Sequence, residues 1–421
     1  MRDLASRLRE IVKQPVRDLT YVPDLPTPAV DLDRVAELLG GTRHDAPGSS
    51  CTVIDRTWEP EQWHGRKRIE AYALNPDAPL ALVDPRLAGL RDWSSRVVFF
   101  DIETTGLSGG AGTLPLIVGC GWFEGARFVV RQFFLSGPGG ERAMLDALTG
   151  ILDEASLLVT YNGRTFDVPV METRWAFHRR QSGSEDLPHL DMLPAARRLW
   201  GRDLESCTLT ALERSVLRFH RLNDVPGLEI PSRYFQFLRT GDTTVIDGVL
   251  EHNRHDIVSL AAVTAHALRL AVEGPDACES PNEALGLGCL YERAGDTDRA
   301  EAAYGRAAAA DDEEVAAQAL ARLAVLLRRR ERHDDAAKAW KGALALSADR
   351  PHLAAMHQRA AEALAIHCEH RSKELTTAKS YAEALRQAAP GRAAAAADHR
   401  IQRLNKKLNV QNSKSKMHFE F

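Results

Sequence analysis

The period of the apolar residues changes along the chain, and each change marks an element. Val97-Val98-Phe99-Phe100 is an unbroken run of β-formers, the pattern of a strand buried on both faces. It continues as Asp101-Ile102-Glu103-Thr104-Thr105-Gly106-Leu107. Side chains at i and i+2 leave a strand on the same side, so Asp101 and Glu103 project together. Two carboxylates held that close repel unless a cation neutralises them, although a plain solvated strand end is the other reading. Leu114 to Phe123 and Arg127 to Leu135 read as strands joined by a hairpin at Glu124-Gly125. Gly139 to Leu152 has helical spacing, with Leu145, Leu148 and Leu152 on one face. A strand at Leu157 to Thr160 follows, then a helix from Val168 to His178, and finally a long helix from about Thr243 to Val272, closed by Gly274-Pro275.

The flanks carry weaker patterns. Residues 1–95 show helical spacing over Leu4 to Val12 and Val30 to Leu39, a linker from Pro23 to Pro28, and strand-like alternation over Ser50 to Arg56. Trp58, Trp63 and His64 are expected in a loop, His64 as a structural or surface histidine, since no second histidine or cysteine stands at metal spacing. The glycine-rich stretch Ser108 to Thr113 lacks the Gly-Lys-Ser/Thr ending of a phosphate cradle and reads as a turn. After Pro281 the composition shifts to Ala, Arg and Glu, and Ala300, Tyr304 and Ala307 recur 36 residues later as Ala336, Trp340 and Ala343. A looser copy stands at Ala378, Tyr381 and Ala384. Helix pairs of about 34 residues bury their faces only by stacking, which predicts a solenoid; a generic Ala-rich bundle is the competing reading. The expected division is 1–95 as a leader with helices and a short strand, 96–273 as an α/β domain, 282–389 as repeats, and 390–421 as a polar, frayed tail.

Composition narrows the class. With 421 residues, 44% hydrophobic and 27% charged, the chain has the balance of a globular protein of two or three domains. The start from Met1 to Leu8 has no signal-peptide core and no apolar run reads as a bilayer span, so a cytoplasmic location is expected. Six scattered cysteines with no C-x-x-C suggest neither a zinc site nor a disulfide framework. A net charge of -4 does not suit a protein that coats nucleic acid by long-range attraction, so any such contact must be local. Of two basic clusters, Arg174-His178-Arg179-Arg180 is the better candidate for phosphate contacts, while Arg328-Arg329-Arg330-Arg332 reads as a solvated helix face without aromatic residues for base stacking.

The chemistry-bearing stretches are Asp101-x-Glu103-Thr104-Thr105-Gly106-Leu107, then Tyr161-Asn162-Gly163-x-x-Phe166-Asp167, then Asp256 with His252 one helical turn before it. In this order they resemble the DEDD (DnaQ-like) exonucleases and, more narrowly, the YprB-like branch, in which such a domain precedes tetratricopeptide repeats. The resemblance covers about Ser49 to Leu270 and the C-terminal helices; the three motifs are specific together and weak singly. It implies a ribonuclease-H-like α/β domain, a mixed sheet flanked by helices, followed by an all-α TPR-like solenoid. It further implies 3′-to-5′ exonuclease activity on DNA or RNA, two Mg²⁺ or Mn²⁺ ions, a protein partner for the repeats, and a setting in DNA repair. Asp101 would bridge both ions, Glu103 and Asp256 would hold the nucleophile-side ion, and Asp167 the other. Thr104, Thr105, Gly106, Leu107, Asn162 and Phe166 stand where the family contacts the terminal nucleotide, with turn formation the other reading for Gly106 and Asn162 and core packing for Phe166. His189-Leu190-Asp191 resembles a further family stretch in which the aspartate is not a metal ligand.

The general base is where the chain departs from that pattern. The family carries a tyrosine four residues before the last aspartate or a histidine five before it; here those positions hold His252 and Glu251. Residues four apart share a helix face, so His252 is favoured over His255 as the base or water-orienting group. Two other readings stay open: an inactive nucleic-acid-binding or adaptor protein whose repeats recruit a partner, and a ribonuclease-H-like endonuclease.

Overall fold

The computed structural model describes residues 31–106, 112–181, 186–388 and 391–419. Leu107, most of the glycine-rich stretch and the N-terminal helix and linker expected before residue 31 lie outside them. The strands are β1 (Thr42–Ala46), β2 (Ser49–Trp58), β3 (Trp63–His64), β4 (Lys67–Arg68), β5 (Val97–Thr104), β6 (Pro115–Glu124), β7 (Arg127–Phe134), β8 (Leu157–Thr160) and β9 (His189–Asp191). The helices of the first half are α1 (Leu32–Leu38), α2 (Leu80–Val83), α3 (Glu141–Asp153), α4 (Asp167–Phe177), α5 (Leu193–Leu199), α6 (Leu209–Leu212), α7 (Ile230–Thr240) and α8 (Thr244–Glu273). Those of the second half are α9 (Pro281–Ala294), α10 (Thr297–Ala308), α11 (Glu313–Arg329), α12 (His333–Leu346), α13 (Ala354–His370), α14 (Leu375–Ala388) and α15 (Arg392–Phe419).

Seven strands form one mixed sheet in the order β1-β2-β7-β6-β5-β8-β9. β5 runs antiparallel to β6 and parallel to β8, and β8 runs parallel to β9. Helices cover both faces, and the five strands from β7 to β9 in that order have the ribonuclease-H-like arrangement. The sheet also reaches into the expected leader, because β2 pairs with β7 along its length and β1 with β2. His64 is buried there, with Nε2 2.8 Å from Ser259 Oγ, and serves packing rather than a metal.

One face of the sheet packs Val98, Phe100 and Ile102 against α3 and α7 through Met144, Leu148, Tyr234 and Phe237. The other packs Phe99, Leu157 and Val159 against α5, the C-terminal half of α8 and the first repeat helices, through Leu199, Trp200, Leu285, Tyr291 and Tyr304. α8 is long and apolar enough to cross a membrane by length and composition, which the sequence reading did not recognise. In the structure 72% of its apolar window is buried, as befits a helix that serves both the sheet and the repeats.

The repeats begin on that shared core. A Cβ on Gly286 of α9 would stand 2.2 Å from the Arg198 carbonyl oxygen, so α9 lies directly on α5. Trp200 Nε1 donates to Glu283 Oε1 at 2.7 Å, and its ring stacks on His266. A chain ending at Gly274 would therefore uncover Leu199, Trp200 and the end of α8. Gly286→Val is expected to lower stability by about 1–3 kcal/mol through overpacking. Gly305→Ala on α10, with no atom nearby to meet a Cβ, should match or slightly exceed the wild type. Equal melting temperatures for the two variants would contradict this packing.

Residues 297–388 stack as helix hairpins, with the repeated Ala300, Tyr304, Ala307 and Ala336, Trp340, Ala343 buried. The stretch expected to fray is helix α15 instead. Ala397, Ile401 and Leu404 are buried at helical spacing, and Arg403 Nε and Lys407 Nζ each stand 2.8 Å from the buried Glu369 carboxylate. Those contacts anchor a segment whose composition alone looks solvated.

Candidate active site

The sheet alternation that buries Phe99 below the surface brings Asp101 and Glu103 out on the same side, both half-buried. Gly119 is the residue opposite Asp101 on β6. A Cβ there would stand 2.3 Å from Asn253 Oδ1, so the glycine lets α8 approach the sheet. Asn253 is fully buried; it accepts from Gln132 Nε2 at 2.8 Å and donates to Asp101 Oδ2 at 2.9 Å. β5 and α8 are thereby locked in register.

That register places His252 and Asp256, one turn apart on α8, in front of Glu103. One ligand atom from each of Glu103, His252 and Asp256 lies within 4.8 Å of the others. His252 Nε2 is 3.8 Å from Glu103 Oε1 and 3.4 Å from Asp256 Oδ2. Asp167 is buried in the first turn of α4. Burial lifts the Asp101 carboxyl well above the usual carboxylate range, and the charges of Asp256, Glu103 and Asp167 lift it further. Glu103 is raised by burial and then by Asp256 and Asp167. Asp167 is pushed up to about 7, by burial first, with Asp191 and Asp256 adding to it. Four carboxylates thus share one electrostatic neighbourhood, a donor set of hard oxygens that suits Mg²⁺ or Mn²⁺.

A raised carboxylate pKa has a direct consequence for folding. The contribution of Asp167 to stability is full below its unfolded pKa near 4 and is lost as pH rises toward about 7. In chelator, the protein is expected to melt several degrees lower at pH 8 than at pH 5.5, with Asp167→Asn flattening that difference. Identical melting profiles for wild type and variant across this range would contradict it.

Four further residues complete the site, Arg221, Glu213, Asp224 and Asn253, and sequence reasoning missed them. Arg221, buried, donates from Nε and Nη2 to Glu213 at 2.8 and 2.5 Å and pairs through Nη2 with Asp256. Burial works against its charge, but Asp256 and Glu213 outweigh that and raise its pKa. Asp224 Oδ1 is 2.8 Å from His252 Nδ1. Arg221 Nη1 lies 3.3 Å from the same nitrogen, and the shorter contact to the Asp224 carboxylate orients the ring with Nε2 toward Glu103 and Asp256. Glu213 opens a π-helical turn and Arg221 follows in irregular chain, so no periodic signal marks either. Asn253, next to His252 on the same helix, was the one such residue a helical projection from Asp256 would have found.

The remaining expected residues shape the rim. Thr104 Oγ1 donates to the Gly106 carbonyl at 2.8 Å, and Thr105 Oγ1 accepts from Leu114 N at 3.0 Å. Asn162 is exposed in a left-handed conformation (φ 67°), its Oδ1 accepting from Thr165 Oγ1 at 2.9 Å, so it builds a turn. Asp191 braces that turn by accepting from Asn162 N at 2.9 Å. Phe166 is half-buried against the core beneath α3. His255 turns away, with Nε2 3.1 Å from Glu251 and its ring against Phe219. The first basic cluster is a correction: Arg174 is buried in a pair with Glu141, His178 Nε2 is 2.6 Å from the same carboxylate, and Arg180 pairs with Asp146. These residues pin α4 to α3 instead of presenting charge to a phosphate.

The sheet order and its flanking helices give the first half a ribonuclease-H-like fold. A sequence profile of the RNase_H superfamily matches residues 98–268, the stretch from β5 to α8. The chain is similar to the Bacillus subtilis (strain 168) protein named "Uncharacterized protein YprB", at 34% identity over 207 residues, 49% of this chain and 50% of that protein. It thus spans about half the length of the curated relative it matches. Among solved structures, the family B DNA polymerase from the hyperthermophilic archaeon Pyrobaculum calidifontis shares 15% identity at a TM-score of 0.34, over 50% of this chain and 29% of that one. A likeness that slight says nothing about activity.

Proposed function

We propose that the protein is a metal-dependent phosphodiesterase that removes nucleotides from the 3′ end of DNA or RNA. The observation that carries this reading is the gathering of Asp101, Glu103, Asp167 and Asp256 in one electrostatic neighbourhood, the first three raised in pKa, beside a histidine whose Nε2 faces Glu103 and Asp256. Two divalent cations, when bound, would supply an activated water and neutralise the developing phosphorane charge. Asp101, Glu103, Asp167 and Asp256 would hold them, in the roles the resemblance assigns. His252 takes the proton of the attacking water at Nε2, and Asp224 keeps its ring in the correct orientation. Arg221, held by Glu213, fixes Asp256 on α8. Thr104, Thr105 and Gly106 shape the turn beside the terminal nucleotide, with Leu107, Asn162 and Phe166 assigned to the same contact by resemblance.

Partner recruitment by the helical repeats and a role in DNA repair belong to the same reading and rest on that resemblance. The adaptor reading is disfavoured because all four carboxylates are kept and converge. A 5′-labelled single strand should shorten progressively from its 3′ end in Mn²⁺, while a circular strand of the same sequence should resist. Cutting of the circle would make the protein an endonuclease.

A further inference from the structure

A cavity of about 560 Å³ opens where α5 meets the repeats, lined by six arginines and one carboxylate. Arg197, Arg198 and Arg202 come from α5 and the turn after it; Arg293, Arg322 and Arg329 face them from α9 and α11. An adjoining cavity of about 450 Å³ shares Arg202, Arg322, Arg329 and Glu292 and runs on to Arg359 of α13. In a chain of net charge -4, this concentration is local.

Internal pairing does not account for it. Glu292 is the one carboxylate in the lining and is already committed, with Oε1 2.7 Å from Arg329, Oε2 accepting from Tyr304 Oη at 2.7 Å and the same oxygen 3.9 Å from Arg322 Nη1. Arg198 donates to the Pro194 carbonyl at 2.6 Å and Arg202 to the Arg198 carbonyl at 3.2 Å, so helix carbonyls aim these two. Arg197 and Arg293 make no ion pair among the described residues. By contrast, Arg330 and Arg332, in the turn after α11, are matched by Asp298, Glu301 and Asp335. The close approach at Gly286 forces α9 and α5 together, and Arg293 and Arg198 with them. Like charges gathered this way are unfavourable unless an anion lies between them.

Helix α5 links the lining of the cavity to the Asn162 turn. α5 starts two residues after Asp191, which braces the Asn162 turn, and its length of about 10 Å leads from that turn to Arg197 and Arg202. Arg197 is near enough for its charge to act on Tyr161, the residue before Asn162. No aromatic residue lines either cavity, so they offer contacts to phosphates and no platform for bases.

We infer that this arginine-lined groove is a second nucleic-acid site, which holds backbone phosphates of the substrate strand at a distance from the end being hydrolysed. It draws on the phosphodiesterase reading for the continuity of the strand, and binding can be measured without turnover. An acidic peptide would also satisfy the charge, but the placement of the groove along α5, the helix that starts beside the Asn162 turn, favours a strand that continues toward the acidic cluster.

The test uses the full chain and R293A/R322A, both positions being exposed. Anisotropy of a labelled single strand of about 30 nucleotides is followed in EDTA at increasing salt. Affinity should fall about tenfold, and the slope of log affinity against log salt should drop by about 1.4, since each phosphate contact to a single strand contributes about 0.7. R328A, outside the groove, should leave both unchanged, and hydrolysis of a dinucleotide in Mn²⁺ should be the same in all three proteins. Unchanged affinity and slope in R293A/R322A would overturn the inference. So would retained strand binding together with lost binding of an oligo-glutamate peptide, which would make the groove a peptide site. If the wild type hydrolyses nothing yet R293A/R322A loses strand binding, the groove stands and the phosphodiesterase reading falls.

Discussion

Asp101→Asn, Asp167→Asn and Asp256→Asn should each lose turnover by about 10²-fold or more while remaining folded. Each substitution would remove one anionic ligand from the proposed cation site, where electrostatic stabilisation of a developing phosphorane would be a large share of the barrier lowered. The fold should tolerate them because all three positions are burdened by burial or by neighbouring carboxylates. Asp101 and Asp167 are both held above the usual carboxylate range, so losing the charge relieves repulsion. Asp256→Asn leaves Arg221 its second carboxylate, Glu213, at 2.5 Å. Initial rates on a labelled oligonucleotide and melting curves are read side by side. Retention of more than about a tenth of the wild-type rate by all three would remove the cation-site proposal.

His252→Ala should lower the rate by about 10²- to 10⁴-fold, whereas His255→Ala should stay close to wild type. The distinction is geometric: His252 Nε2 faces Glu103 and Asp256 with Nδ1 held by Asp224, while His255 is turned to Glu251 and Phe219. Asp224→Asn should fall between them, because it leaves the imidazole in place and weakens its orientation. Profiles from about pH 5.5 to 9 in saturating Mn²⁺ separate the three. An equal loss at both histidines, or a larger one at His255, would show that the base is misassigned.

The parts of the site legible in the sequence are those written in a period. Alternation along Val97 to Glu103 places two carboxylates on one side of a strand, and the four-residue spacing of His252 and Asp256 places them on one side of a helix. What was not legible depends on chain segments with no period or on contacts across the fold. Asp224 and Arg221 reach α8 from irregular chain, and Gly119 matters only because Asn253 comes to lie on it. The Arg174 cluster looked like a phosphate surface because its partner, Glu141, is on another helix. The boundary expected near Pro281 followed a real change in composition, yet Trp200, His266 and Glu283 join the two sides of it in one core. The tail failed in the opposite direction: Ala397, Ile401 and Leu404 carry a helical spacing, masked by the charged residues that secure Glu369.

The central claim is that the Asp101, Glu103, Asp167 and Asp256 cluster holds divalent cations for phosphodiester hydrolysis. Its most direct measurement is the rate at which the purified full chain shortens a labelled oligonucleotide as Mn²⁺ is titrated from excess chelator. The expected result is no cleavage in chelator, a saturable rise with Mn²⁺, and no rise for Asp101→Asn. Equal cleavage in chelator, or a folded wild-type chain that cleaves no DNA or RNA strand at any Mn²⁺ concentration, would contradict it.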